Sequence, residues 1–192
     1  MEDKYLNMRD KREKIPNKID TRPASTMQKS YAKQLGVILP IEATESDAKA
    51  IIARELDNDE RVTEGFLNYA RSKGMLCSDY IGNKALHNQL FDNLEVEDKT
   101  SFFCFCIYKF YFDGSNEDLS THPKKALFEE FGEKFAKDVY FQASLEEYLG
   151  EELVAFGKSK KVINGVEKTI YGGSAYTRAH KEAYNYIKDN IY

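Results

Sequence analysis

The stretch 101-SFFCFCIYKFYF-112 sets seven aromatic rings, two cysteines and one lysine in twelve consecutive positions before Asp113 and Gly114 end it. What it becomes decides the fold. A bilayer span needs about 20 apolar residues, and Lys109 interrupts a run that is already shorter, so length and charge argue against a membrane crossing. Aromatic residues favour a strand. The run lacks strict alternation, however, follows Asp98 as a candidate cap, and lies between segments with helical spacing. The expectation is a buried central helix over about residues 98–112, apolar all round, with Lys109 and the hydroxyls of Tyr108 and Tyr111 reaching polar surroundings. Stacking on bases needs exposed rings, so the stretch reads as scaffold.

Working outward, the flanking segments also repeat at helical spacing. Met27, Tyr31 and Leu35 fall at i, i+4 and i+8 before the stop at Gly36, which predicts a helix from Thr26 with those residues as its apolar stripe. Thr44 with Asp47 three positions later is a capping-box variant opening a second helix, with Ala48, Ile51, Ile52 and Leu56 on one side. Val62, Phe66, Tyr69 and Ala70 mark a third helix ending at Gly74, and Ala85, Leu86, Leu90, Phe91 and Leu94 a fourth. Beyond the central run, Pro123 sits at a possible first helical position before Ala126, Leu127, Phe131 and Phe135, with Gly132 as a weak spot. The run 139-VYFQASLEEYLG-150 predicts a further helix that stops at Gly150.

The chain then changes character. Two short β-prone runs flank Asn164-Gly165, the dipeptide favoured in two-residue hairpin turns. Ser174 is the expected cap of a last helix whose buried stripe is Ala175, Ala179, Ala183, Tyr186 and Ile187. The fold class is therefore mainly α: a compact helical domain around a buried central helix, with a short hairpin at about 160–170 before the last helix. The expected organisation is a mobile charged arm over 1–24, a small two-helix element over 25–57, a helical core over 58–157, and a hairpin plus C-terminal helix over 158–192 packed on that core.

A chain of 192 residues can bury a core without disulfides. Cys77, Cys104 and Cys106 are an odd set, and Met1 to Lys14 alternates charge where a secretory leader would be apolar; both favour a reducing, cytoplasmic setting in a host cell. Net charge is unevenly spread, at +4 over residues 1–35, −10 over 36–150 and +2 over 151–192. That distribution allows a basic surface that meets phosphate and an acidic one that meets a basic groove.

Signatures of chemistry are sparse. His87, His122 and His180 lack partners at zinc-motif spacing and read as surface or capping residues. Cys104 and Cys106 project about 200° apart on a helix and read as small core hydrophobes. No catalytic, metal or cofactor residue is assigned, although Asp79 or Asp92 with Glu97 and Lys99 is a conceivable cation-dependent nuclease set. The best anion-binding candidate joins Gly172, Gly173 and Ser174 at a helix start, Arg178 and Lys181 on that helix, and Lys158, Lys160, Lys161 and Lys168 of the hairpin.

The segment 26-TMQKSYAKQLGV-37 followed by 43-ATESDAKAII-52 resembles a two-helix element, T-x-x-Q-x-x-Y-A-x-x-L-G then T-x-x-x-A-x-x-I, of uncharacterised proteins of Gram-positive bacteria, their phages and mobile elements. The stretch from Tyr80 to Tyr111 is similar to proteins of the same origin. The resemblance carries no catalytic residue. It implies a small cytoplasmic accessory protein that inhibits a host defence nuclease, as anti-CRISPR proteins do, by stoichiometric binding to the nuclease or its RNA complex. The residues leave two alternatives: a protein that binds DNA or RNA directly through hairpin and last helix, and the cation-dependent nuclease.

Overall fold

The computed structural model describes residues 20–113, 118–148, 150–154, 158–171 and 176–191. Among them are eight α-helices: α1 (Thr26–Gln34), α2 (Glu45–Leu56), α3 (Glu64–Ser72), α4 (Asn83–Asn93), α5 (Val96–Tyr111), α6 (Lys125–Phe135), α7 (Val139–Leu145) and α8 (Arg178–Ile191). A 3-10 turn (Gly150–Val154) and two strands, β1 (Lys158–Ile163) and β2 (Val166–Tyr171), separate α7 from α8.

The aromatic run is the centre of α5. Thr100 through Tyr108 are all buried, and Phe102, Phe103, Cys104 and Ile107 are wholly inaccessible. Each such aromatic contributes about 1.5–3 kcal/mol relative to exposure, so the helix is held by packing on every side rather than by propensity. Phe103 meets Phe141 and Tyr148 edge-on, with ring centroids at 6.2 and 4.9 Å, and Phe105 meets Phe128 at 5.4 Å. Asp98 does not cap this helix: Val96 opens it, and the Asp98 carboxylate accepts from Lys73 Nζ at 2.6 Å across to the end of α3. The last turn surfaces. Phe110 and Tyr111 are exposed, and Tyr108 is buried as a residue.

α6 lies against α5, and its buried side is Phe128, Phe131, Gly132 and Phe135. Gly132 is the contact point, since a Cβ there would lie 2.0 Å from Ser101 Oγ and 2.8 Å from the Glu97 carbonyl oxygen. The glycine that reads as a weak spot in one helix is what lets two helices approach. Pro123 precedes the helix rather than opening it, and Ala126 is exposed, because the helix begins two residues later with Leu127 half-buried and Phe128 inward. α7 starts on Asp138, whose Oδ1 accepts from the Tyr140 and Phe141 amides at 2.9 Å each, and it ends at Leu145, short of Gly150. Gly150 instead begins the 3-10 turn, where a Cβ would lie 2.5 Å from Asn88 Cα and press into α4.

α8 completes the core with Ala179, Ala183, Tyr186 and Ile187 buried. Its cap is Thr177, whose hydroxyl accepts from the His180 amide at 3.2 Å; the expected cap Ser174 and the expected stripe residue Ala175 lie outside the described residues. The hairpin register runs from Lys158 opposite Tyr171 to Ile163 opposite Val166. At its tip Asn164 and Gly165 take φ of 54° and 76°, the pair of left-handed residues that a type I′ turn requires.

The two-helix element has a small core of its own: Ala24, Ala43 and Ala48, with Leu39 packed against it. Both helices carry full capping boxes, Ser25 with Gln28 and Thr44 with Asp47. Asp47 also accepts from Ser78 Oγ at 2.6 Å and so ties the element to the connector between α3 and α4. Burial alone would raise the Asp47 carboxyl, but the bonds from Ser78 and Thr44 outweigh it and hold the group below its ordinary range. The stripe expected on α1 is not buried: Met27 and Tyr31 are exposed and Ala32 is the inward residue.

Candidate functional site

The residues singled out for anion binding divide into three groups. Lys158, Lys160 and Lys161 are on β1 and Lys168 on β2, with Lys161 directly opposite Lys168 in the ladder. Gly172, Gly173 and Ser174 lie outside the described residues. Arg178 and Lys181 are exposed on the first turn of α8. Arg178 is committed elsewhere, for its guanidinium is 3.2 Å from Asp138 and 3.9 Å from Glu182 and lies over the Tyr140 ring at 5.4 Å. It pins α8 to the cap of α7. The structure thus brings four lysines to one ribbon and withdraws the arginine from it.

The residues of the conceivable nuclease are also divided. Asp79 pairs with Arg71 in the connector after α3, while Lys99 Nζ lies over the Phe91 ring at 5.3 Å. Asp92 and Lys99 border one shallow groove with Gln142 and Glu146, and Glu97 sits in the first turn of α5. No group of three His, Cys, Asp or Glu that could hold a metal ion occurs among the described residues. The three cysteines are free and buried, and burial pushes the Cys104 and Cys106 thiols well above the ordinary value.

Two further features emerge from the folded chain. The first is the outer side of the two-helix element. Met27 is 81% exposed, Tyr31 42%, Ile38 90% and Ile41 100%, and Met27, Gln28, Ser30, Tyr31, Gln34 and Ile52 line a shallow groove along α1. The Met27 and Tyr31 spacing was the available signal, and it marks a face without telling which way that face turns.

The second is a cavity of about 460 Å³ among α3, α4, α5 and the 3-10 turn, walled by Phe66, Phe102, Phe105 and Phe110. His87 stands in it, with ring centroids 4.6 Å from Phe66 and 5.6 Å from Phe102. Its Nδ1 is 2.8 Å from the Asn83 carbonyl oxygen. A carbonyl only accepts, so Nδ1 carries the proton and Nε2 is a bare acceptor. Burial, against a smaller upward pull from Asn83, pushes His87 down to about 4, so the ring is neutral at physiological pH. Glu60, Arg61, Lys109 and Asp118 bring charge to the same cavity.

No protein-family model matches the chain, and neither a curated protein nor a solved structure is similar to it.

All three histidines depart from the surface reading. His122 and His180 are buried and His87 is half-buried. His122 is fixed structurally, with Nδ1 accepting from the Lys124 amide at 3.0 Å and Nε2 donating to Asp113 at 3.0 Å. The sequence held one sign of the His87 arrangement, its position four residues after Asn83 in a helical pattern. The aromatic enclosure is tertiary and left no local mark. No helix among the described residues is long and apolar enough to cross a membrane.

Proposed function

We propose that this chain is a binding protein of phage or mobile-element type that inhibits a host defence nuclease, such as a CRISPR effector, by stoichiometric attachment to the nuclease or its RNA complex. The observation that carries this reading is the two-helix element. It shows solvent four large apolar residues between positions 27 and 41 while two capping boxes and the bond from Ser78 to Asp47 hold its backbone. Single exposed apolar residues are ordinary; a preformed element carrying several of them matches the anchors of a protein interface, where ordering cost is already met. A nuclease complex also presents RNA phosphates, which the hairpin lysines complement by charge. In a pull-down with purified effector, loaded and unloaded with guide RNA, the parent is expected to be retained and Ile38→Asp with Ile41→Asp to be lost. Retention of the double variant at parental level would remove the two-helix element from the interface.

A second reading, direct binding of DNA or RNA, is favoured by one specific feature. Lys161 and Lys168 are register partners in the ladder, and like charges at opposed positions destabilise a sheet, a cost that a bound polyanion relieves. Replacing Lys160 and Lys161 by Ala then weakens binding and flattens its salt dependence. Arg178→Ala leaves affinity within about twofold under this reading, because its charge already serves Asp138. Failure of the parent chain to retard a duplex or single strand at low salt would dispose of it.

A further inference from the structure

We propose that the exposed aromatic end of α5, with the lysine-bearing face of α8 beside it, is a docking surface for a single strand of nucleic acid, whose bases stack on the rings and whose phosphates meet the lysines. The inference rests neither on the nuclease reading nor on the hairpin lysines.

Exposure is the first observation. The aromatic run is buried through Tyr108, but its last turn leaves the core, with Phe110 45% and Tyr111 41% exposed. Their rings meet at 77° with centroids 4.8 Å apart, so the pair turns aromatic surface in two directions. Tyr111 lies 5.5 Å from the His180 ring and 5.3 Å from the Tyr184 ring, and Phe112 meets Tyr184 at 5.5 Å. These contacts join the end of α5 to α8. They also order the platform before a ligand arrives, which reduces the side-chain freedom lost on stacking.

Charge is the second. Lys181 and Lys188 are exposed on α8. They stand three residues before and four after Tyr184, the two spacings that share a helix face, and about 10 Å apart along the axis. At helical spacing Glu182 and Asp189 fall about 140–160° round from Tyr184, on the opposite side. Beyond Phe110, Glu60 and Asp118 are matched by Arg61 and Lys109, and Asp113 is engaged with His122 at 3.0 Å. Among the described residues, Lys181 and Lys188 therefore set the sign of this surface.

Together the two observations select the occupant. Open rings beside cations complement a strand whose bases are unpaired, because each base offers a face to stack and each linkage a phosphate to pair. A duplex keeps its base faces inside and meets the lysines alone. An acidic peptide without aromatic groups leaves the rings uncovered.

The chain contains no tryptophan, so Phe110→Trp places a single indole reporter on the platform. A ten-nucleotide single strand of mixed sequence, titrated at low salt, is expected to quench that emission saturably, and the corresponding duplex to bind at least about tenfold more weakly. In the otherwise unaltered chain, Phe110→Ala should weaken binding of a fluorescent strand by about fivefold or more. Lys181→Ala with Lys188→Ala should flatten the log–log salt dependence by about 1.4, from about 0.7 per phosphate contact. Circular dichroism checks each fold; should Phe110→Ala fail to fold, the lysine pair decides. Lys160→Ala with Lys161→Ala in the hairpin should leave the quenching in place, which separates this surface from binding through the hairpin. No saturable quenching, a duplex bound as tightly, parental affinity in folded Phe110→Ala, an unchanged salt slope in the α8 pair, or quenching abolished by the hairpin pair would each overturn the assignment. So would a dimer that Phe110→Ala dissolves in a chain that binds no strand, since the patch would then belong to a second copy.

Discussion

Gly132 shows how far one atom reaches. In an exposed helix, Gly→Ala stabilises by about 1 kcal/mol. Here the added methyl meets Ser101 Oγ at 2.0 Å, so Gly132→Ala is expected to destabilise by about 1–3 kcal/mol in urea unfolding; a stabilised variant would show that α5 and α6 do not approach as described. Histidine protonation acts at the same scale. His87 and His180 are each held at about 4 by burial, below the ordinary 6.5. The unfolded chain therefore takes up their protons first as pH falls. Their contribution is fully present above about pH 6.5, shrinks below it, and is lost by about pH 4, at up to about 3 kcal/mol each. Bonded Asp47 and Asp118 have lowered values and lose stability in the same direction at still lower pH. Thermal midpoints are expected to fall steadily between pH 6.5 and pH 4. A flat profile over that range would contradict the burial of both imidazoles.

At the scale of elements, capping decides which segments stand where. The α4 N-terminus has no cap from its own Gly82; instead the Asp59 carboxylate accepts from the Lys84 and Ala85 amides at 3.0 and 3.2 Å. Asp59 comes this close because residue 82 lacks a Cβ, which would lie 2.1 Å from Oδ2. Asp59→Ala is expected to cost about 1 kcal/mol and Asp59→Asn less, read by chemical denaturation; equal stability of Asp59→Ala and the parent would remove this cap from the account. The sequence patterns that proved readable were those with a local cause: the aromatic core of α5, the capping box of Thr44, and the Asn164-Gly165 turn. Those that misled have a tertiary cause. Met27 and Tyr31 repeat like a buried stripe, but within α1 it is Ala32 that is buried; Leu35 just beyond it is half-buried, and Met27 and Tyr31 turn outward. Asp98 and Pro123 are good helix openers displaced by neighbours, one drawn to Lys73 and the other left in the turn before α6. The cavity around His87 required four elements to meet and no window of sequence contains it.

For the whole molecule, two features bear on partners: the exposed apolar side of the two-helix element and the hairpin whose strands carry four lysines. Elsewhere surface charges are tied to each other, Arg178 to Asp138 and Lys73 to Asp98. Changing Ile38 and Ile41 should therefore leave unfolding unaffected, within about 0.5 kcal/mol, while abolishing partner binding, a separation that a buried residue cannot give. The most direct measurement is guide-programmed DNA cleavage by a CRISPR effector titrated with the parent chain and with the Ile38→Asp, Ile41→Asp variant. The account predicts cleavage that falls to background near one equivalent of parent and persists with the equally stable variant. Normal cleavage at saturating parent protein would contradict it.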